Sequence, residues 1–431
     1  MFYSSDEVLQ YVQENDVKFI RLAFCDICGT LKNVAIMPSQ LERALDEGIT
    51  LDPRSLRGFN AAGGYDLLLR PDPSTLTAMP WRPQQGRVVR LMSHLLTTDG
   101  KPFALDSREI LKRTVRAALK QGYTFRIGTE CEFYLFEMDE DGRPTHRPQD
   151  NATYCDVAPV EKAENVRREI CLTLEEMGIS PESSHHEVGP GQNEVDFAFA
   201  DVMSAADNAV LFKQVVKTVA AMSGLHASFM PKPLSNHPGS GMHINLSAYR
   251  DGHNIMSDCA GGLTGEAAGL VAGIMRRLPE MTAVLNPITN SYRRLATMDM
   301  PGSIGWSQDN SQLIRLPHAS GERARIELRS PDSALNPYIA FSLIIAAGME
   351  GVAEGAALPA PLRCGEMPGE CEMLPRDLRS ALNLLASPFV GSVLPAELLA
   401  GISAQRLREI EFVENALDRD AAENDLYFQY I

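Results

Sequence analysis

Three stretches of the chain alternate polar and apolar residues at period two, the spacing of a strand with one face in a core. In Tyr123–Phe136 one side carries Glu130 and Glu132, and the other carries Ile127, Phe133 and Leu135. In Gly241–Ser247 His243, Asn245 and Ser247 share a face, against Met242, Ile244 and Leu246. In Arg323–Arg329 Arg325, Glu327 and Arg329 fall together, backed by Ile326 and Leu328. Lys18–Phe24 and Leu31–Met37 flank the turn-like Asp26–Thr30 and predict a hairpin. Leu51–Trp81 is dense in Gly, Pro and Asp and predicts loops. Helical spacing covers Glu161–Met177, Met203–Met222, Gly265–Arg277 and Pro337–Met349, and most of the chain after about residue 375. Asp106 with Glu109 resembles a capping box opening a helix that ends at Gly122, and Asn336-Pro337 is a strong start signal. The elements mix without a strict βαβ rhythm, so the expected class is α+β. A boundary at Thr98–Pro102 divides residues 1–100 from 101–431.

Charge and composition narrow the partners. Across 431 residues, 40 basic side chains face 56 acidic ones, a formal charge of −16. That sign argues against nucleic acid or an anionic membrane. The longest apolar stretch, Ile339–Met349, is about half of what a bilayer crossing needs. Met1–Asn15 holds Asp6 and Glu7 and no apolar core of a secretory signal. Eight cysteines lie scattered, as expected for reduced thiols in a cytoplasmic protein.

The polar strand faces hold acids, a histidine and arginines but no lysine, which is unlike an ordinary solvated sheet. Glu187 and Glu194, separated by a Gly/Pro-rich turn, add to Glu130, Glu132, Glu327 and His243. Such a donor set suits two hard divalent ions, Mg²⁺ or Mn²⁺, and no Cys/His spacing points to zinc. Arg294, Arg315, Arg325 and Arg329 offer fork-shaped donors for phosphate and carboxylate oxygens. Metals with arginines are the equipment of phosphoryl transfer from a nucleotide. Neither a P-loop nor a dinucleotide fingerprint is present, so the nucleotide site is of another kind.

Gly128-Thr-Glu-Cys-Glu-Phe133, His186-Glu-Val-Gly-Pro-Gly-Gln-Asn-Glu194, Gly239-Ser-Gly-Met-His243, Asn290-Ser-Tyr-Arg-Arg-Leu295 and Arg325-Ile-Glu-Leu-Arg-Ser-Pro-Asp332 occur in that order, and Asn336-Pro-Tyr338 extends the last. Together they resemble the bacterial-type, class I glutamine synthetase family over essentially the whole chain. The resemblance implies a β-grasp-like N-terminal domain and a catalytic domain whose curved antiparallel sheet is lined by helices. It implies a dodecamer of two stacked hexameric rings with active sites between neighbouring subunits. It places Glu132, Glu187 and Glu194 around a metal near the substrate, and Glu130, His243 and Glu327 around a metal near the ATP phosphates. Arg294, Arg329 and Gly239 would hold glutamate, and Phe199, Asn245, Ser247, Arg315 and Arg325 would face the nucleotide. Asp52, Ser55 and Tyr154 would serve the ammonium end, and Asp299 would stand in the flap over the site. The implied reaction phosphorylates the γ-carboxylate of glutamate with ATP, then replaces phosphate by ammonia.

Departures from the family pattern bear on the substrate pocket. Pro238 stands where the family has a side-chain amide, and Asn310 where it has an arginine. Asp299 replaces a glutamate in a segment one residue shorter, Asn245 a histidine, and Pro53-Arg54 a small Gly-Ser pair. These leave two rivals to ammonia ligation: a ligase for a larger amine, and a silent homologue. Cys25-x-x-Cys28 reads as two packed thiols, and Cys131 should face the apolar side of its strand. His185 is either an active-site base or a supporting residue. No segment near residues 360–385 resembles the family's adenylylated tyrosine site.

Overall fold

The computed structural model describes residues 3–56, 58–59, 65–82, 85–258, 262–297, 303–363 and 373–431. The chain starts with α1 (Ser5–Glu14), closed by a capping box in which Ser4 accepts from the Glu7 amide and Glu7 reaches back to Ser4. The first sheet follows: β1 (Val17–Cys25), β2 (Leu31–Ile36), α2 (Leu41–Asp46), β3 (Ile49–Leu51), β4 (Leu67–Pro71), β5 (Thr77–Ala78) and β6 (Arg87–Thr97). Its order is β2-β1-β6-β4-β3, with β5 against β6. β1 and β2 form the expected hairpin, while β1 and β6 run parallel. The hairpin turn is tied by Asp26, whose carboxylate accepts from the amides of Cys28 and Thr30, both at 3.0 Å. Gly29 has φ +78 there, and a Cβ would lie 2.7 Å from the Cα of Asn336. Only glycine lets this turn press on the rest of the chain.

The second half runs α3 (Ser107–Lys120), β7 (Tyr123–Met138), β8 (Pro144–Pro148), α4 (Glu164–Glu176), β9 (Pro181–His186), β10 (Gln192–Phe197), β11 (Ala200–Asp201), α5 (Val202–Met222), β12 (Leu225–Ser228), β13 (Met242–Arg250) and β14 (His253–Asn254). It continues with α6 (Gly265–Leu285), α7 (Thr289–Leu295), β15 (Trp306–Ser307), β16 (Ile314–Arg315), β17 (Ile326–Leu328) and α8 (Pro337–Glu354). Four helices close it: α9 (Leu378–Leu385), α10 (Pro388–Val393), α11 (Ala396–Glu414) and α12 (Arg419–Tyr427). The sheet order is β15-β16-β17-β13-β7-β10-β9, and β8, β11 and β12 also pair with the long β7. It is antiparallel except for β15 beside β16. Ile127, Phe133, Val195, Ile244, Leu246, Ile326 and Leu328 bury one face in the main core with residues of α5, α6 and α8.

The structure corrects several boundaries. Asp106 caps α3 through the Arg108 amide, without the reciprocal Glu109 bond of a capping box. The strand expected over 323–329 shrinks to Ile326–Leu328, because Gly321–Arg323 is a 3-10 turn. α6 continues through Pro279 to Leu285. α8 also outruns the pattern, and at 18 residues with a hydropathy of 1.2 it is long and apolar enough to cross a membrane. Yet 72% of that window is buried in the protein. A helix apolar on every side belongs in a core as well as in a bilayer. α8 lies against α6 so closely that a Cβ on Gly351 would fall on the Gly269 carbonyl.

Candidate active site

Strand register assembles the polar face. Glu130 on β7 is flanked by His243 of β13 and Asp196 of β10, and Asp196 by Ser183 of β9. One row along, Glu132 pairs with Glu194, and Glu194 with His185. On the other side, Gly128 pairs with Asn245, Asn245 with Glu327 and Glu327 with Arg315. Directly opposed residues on adjacent strands point the same way, so residues as distant in sequence as Glu130 and Glu327 share one surface.

The first cluster is Glu130, His243 and Glu327, whose ligand atoms all lie within 4.8 Å of one another. The His243 Nδ1 is 3.1 Å from Glu130 and 3.7 Å from Glu327. Asn245 donates to Glu130 at 2.8 Å and accepts from Arg325 Nε at 2.9 Å, so it joins the acid to the guanidinium. Glu327 is only 1% exposed and accepts from Arg315 at 2.9 Å and from Arg329. Burial opposes the Glu130 charge, but His243, Asn245 and Arg325 outweigh it and hold the carboxyl at about 2.

The second cluster is acid against acid. The ligand atoms of His185, Glu194 and Asp196 lie within 4.8 Å of one another. Glu132 borders it, accepting from the Gly241 amide at 2.9 Å and from Gln192 at 3.2 Å. Glu187 lies 3.4 Å from His185 and accepts from the Val188 amide at 3.1 Å. Burial, followed by the charges of Glu132 and Asp196, pushes Glu194 up to about 11. Burial and Glu132 raise Glu187 as well. A crowd of hard oxygen donors that must otherwise take up protons is a fitting cradle for a divalent cation.

Asp196 and His185 were not among the ligands expected from sequence. The signal for Asp196 was present: it lies two residues beyond Glu194 on the same strand face. His185 points into the cluster, whereas His186 is buried 3.0 Å from Asp150. Asp150 also accepts from the Gly191 amide at 3.0 Å, pinning the Gly/Pro turn between Glu187 and Glu194.

The remaining expected residues are more dispersed. Arg294 is buried and donates to the carbonyls of Ser330 at 2.8 Å, Pro331 at 3.1 Å and Arg329 at 3.0 Å. Its guanidinium therefore braces the turn after β17, where the resemblance has it gripping substrate. Gly239 lies over that side chain, and a Cβ there would sit 2.8 Å from Arg294 Cγ. The Ser247 hydroxyl donates to the Ala324 carbonyl at 2.9 Å, so it ties β13 to the segment before β17. Phe199 is part-exposed with Arg126 5.7 Å from its ring centre. Tyr154 is exposed, edge-on to His185. Ser55 and Asp52 lie exposed in the N-terminal half. Arg54 grips Asp52 at 2.7 and 2.9 Å and lowers its carboxyl to about 2. Asp299 lies outside the described residues, as does part of the 360–385 segment. Cys25 and Cys28 are not joined in a disulfide, and Cys131 is buried on the apolar face with its thiol pushed up to about 12 by burial.

Comparison with known proteins settles the lineage. Residues 104–424 match the family model described as glutamine synthetase, catalytic domain, and residues 16–98 match glutamine synthetase, beta-Grasp domain. The chain belongs to the glutamine synthetase family. A glutamine synthetase of Clostridium saccharobutylicum is 43% identical over 94% of this chain and 95% of its own length. One from Staphylococcus epidermidis is 41% identical over 100% of this chain and 93% of its own. A solved structure described as a GmaS/ADP complex is 28% identical, covers 97% of this chain and 99% of that one, and has a TM-score of 0.86. The fold is also that of a Plasmodium falciparum glutamine synthetase, at 21% identity and a TM-score of 0.87 over 99% of each chain. In this glutamine synthetase chain, Pro238 meets the second cluster's wall through its carbonyl, which accepts from Tyr134 at 2.6 Å. Asn310 follows Asp309, which accepts from the Ser311 amide at 2.9 Å in an exposed turn.

Proposed function

We propose that this chain joins ammonia to the γ-carboxylate of L-glutamate at the expense of ATP, through γ-glutamyl phosphate, giving glutamine, ADP and phosphate. The observation that carries the reading is the pair of adjoining clusters on one sheet face with Arg315, Arg325 and Arg329 along their edge. Glu130, His243 and Glu327 would hold one Mg²⁺ or Mn²⁺, and Glu132, Glu187 and Glu194, with His185 and Asp196 beside them, the other. Bound divalent ions neutralise phosphate and carboxylate charge, so that two anions can meet. The arginines orient phosphate and carboxylate oxygens through charge-assisted forks. Glu327 positions Arg315 and Arg329, and Asn245 positions Arg325. The part-exposed Phe199 offers a flat face for a nucleotide base.

The test is phosphate release with ATP, glutamate and a panel of amines. Ammonia should be consumed fastest. A larger amine consumed faster would replace this reading by the amine-ligase one, which Pro238 in place of an amide favours. ATP binding without turnover of any amine would leave a silent homologue.

The same reading places the domain boundary near residue 100 and builds a cytoplasmic ring assembly, a dodecamer of two hexamers. Asp52, Ser55 and Tyr154 would then complete the ammonium end across a subunit boundary, with Asp299 over the site. Exposure of Asp52 in the single chain is consistent with a role on a neighbour. Mixed rings of Asp52→Ala and Arg329→Ala chains should regain part of the activity that each variant lacks. No recovery in verified mixed rings counts against a shared site.

A further inference from the structure

The polar face of the sheet continues past the acidic clusters. Along β7 the residues that share it at period two are Glu132, Glu130, Gly128 and Arg126. Glu132 borders the second cluster and Glu130 belongs to the first. Gly128 carries no side chain, and the position after it is a cation. Arg126 lies four residues from Glu130, ~13 Å along an extended strand. Its cross-strand neighbours are Ser247 of β13 and Asp201 of β11. A nucleotide with its phosphates at the first cluster, and glutamate at the second, extends the other way along this face. That direction brings its base to Arg126.

Two aromatic rings hold the guanidinium in place. Its central carbon is 5.1 Å from the centre of the Tyr249 ring and 5.7 Å from that of Phe199, both within the range of a cation–π contact. Tyr249 is buried and makes a fixed platform, whereas Phe199 is 39% exposed and keeps ring surface open. Gly128 accounts for the position of Phe199. A Cβ there would sit 3.3 Å from the Phe199 Cβ, so glycine lets the segment before β11 lie over β7. The acid beside Arg126 is engaged elsewhere: Asp201 accepts from the amides of Met203 at 3.2 Å and Ser204 at 3.1 Å. No ion pair involves Arg126 among the described residues. It is an exposed cation, fixed by aromatic contacts rather than by an acid.

We propose that Arg126 selects the base of the nucleotide, donating to the edge of a purine that lies on Phe199. A guanidinium held on Tyr249 offers its N–H donors in one plane. A purine presents the N7 acceptor to such donors, whereas cytosine presents an amino donor that repels them. The inference rests on the nucleotide reading above and adds to it the residue that reads the base.

The test is steady-state kinetics of the intact assembly, wild type against Arg126→Ala, with MgATP and MgCTP. Inhibition by magnesium tripolyphosphate, which has the phosphates and no base, is measured alongside. Arg126 is exposed, so removing its side chain leaves the core intact. In the variant the KM for ATP should rise about tenfold, the size of one good base contact, with little change in kcat or in the KM for glutamate. The preference for ATP over CTP should fall by a similar factor, and inhibition by tripolyphosphate should be unchanged. An unaltered KM for ATP together with an unaltered base preference would overturn the proposal. So would an equal weakening of tripolyphosphate, which would assign Arg126 to the phosphates or to the fold. A wild type that turns over no nucleotide at all would overturn the nucleotide reading itself, and this inference with it.

Discussion

Glu327→Ala should lower ATP turnover on the order of 10³-fold while the assembly stays intact, because one carboxylate serves three neighbours. Glu327 lies 3.7 Å from His243 in the first cluster, and accepts from both Arg315 and Arg329. Truncation removes a metal ligand and releases two guanidinium groups from the positions in which they face the cluster. It also leaves those cations without their buried partner. Breaking a buried pair costs roughly 3–5 kcal/mol. Arg315 and Arg329 are 33% and 17% exposed, so water softens that loss. Glu327→Gln separates the two effects. It keeps the volume and the acceptor oxygen, so it should fold like wild type yet remain nearly inactive. Phosphate release and gel filtration on both variants check this. Activity within tenfold of wild type in Glu327→Gln would remove Glu327 from the machinery.

Stripping divalent cations should make thermal stability strongly pH-dependent, and Glu194 sets the sign. Burial and the charges of Glu132 and Asp196 raise its folded-state pKa from 4.5 to about 11. Between those values the folded protein binds more protons than the unfolded chain. Stability therefore falls as pH rises, by at most roughly 1.4 kcal/mol per unit from this group. A divalent ion replaces the proton and should flatten the profile, with protons released on binding. Melting curves from pH 6 to 9, with chelator and with Mn²⁺, should diverge most at the alkaline end. Glu194→Gln should raise the melting temperature of the metal-free protein at pH 8 and weaken Mn²⁺ binding at least tenfold. A flat metal-free profile with undiminished Mn²⁺ binding by Glu194→Gln would exclude this cluster as a cation site.

Period-two alternation in 123–136 and 241–247 was enough to put Glu130, Glu132, His243 and Asn245 on one strand face each, because the pleat leaves no other choice. The same rule adds Asp196 through Glu194, two residues earlier on the strand that follows the Gly/Pro turn. Local spacing was a poorer guide at the edges. Gly321–Arg323 curls into a 3-10 turn and shortens β17, while α6 and α8 run beyond their patterned cores because packing supplies what propensity lacks. Arg294 illustrates a different gap. Its sequence motif identifies it, but only the fold brings the Ser330 and Pro331 carbonyls within reach of its guanidinium.

The sequence by itself determined the α+β class, the buried and polar faces of the principal strands, and the ordered motifs of the glutamine synthetase family. Each of these rests on residues close together along the chain, where geometry follows from spacing. Tertiary structure decided which polar faces adjoin, since registers such as Glu130 with His243 and Asp196 depend on pairings among distant strands. It also decided that Glu194 stands among like charges and that Arg54 covers Asp52. Charge, burial and hydrogen bonding are properties of a neighbourhood, and most of each neighbourhood comes from elsewhere in the chain.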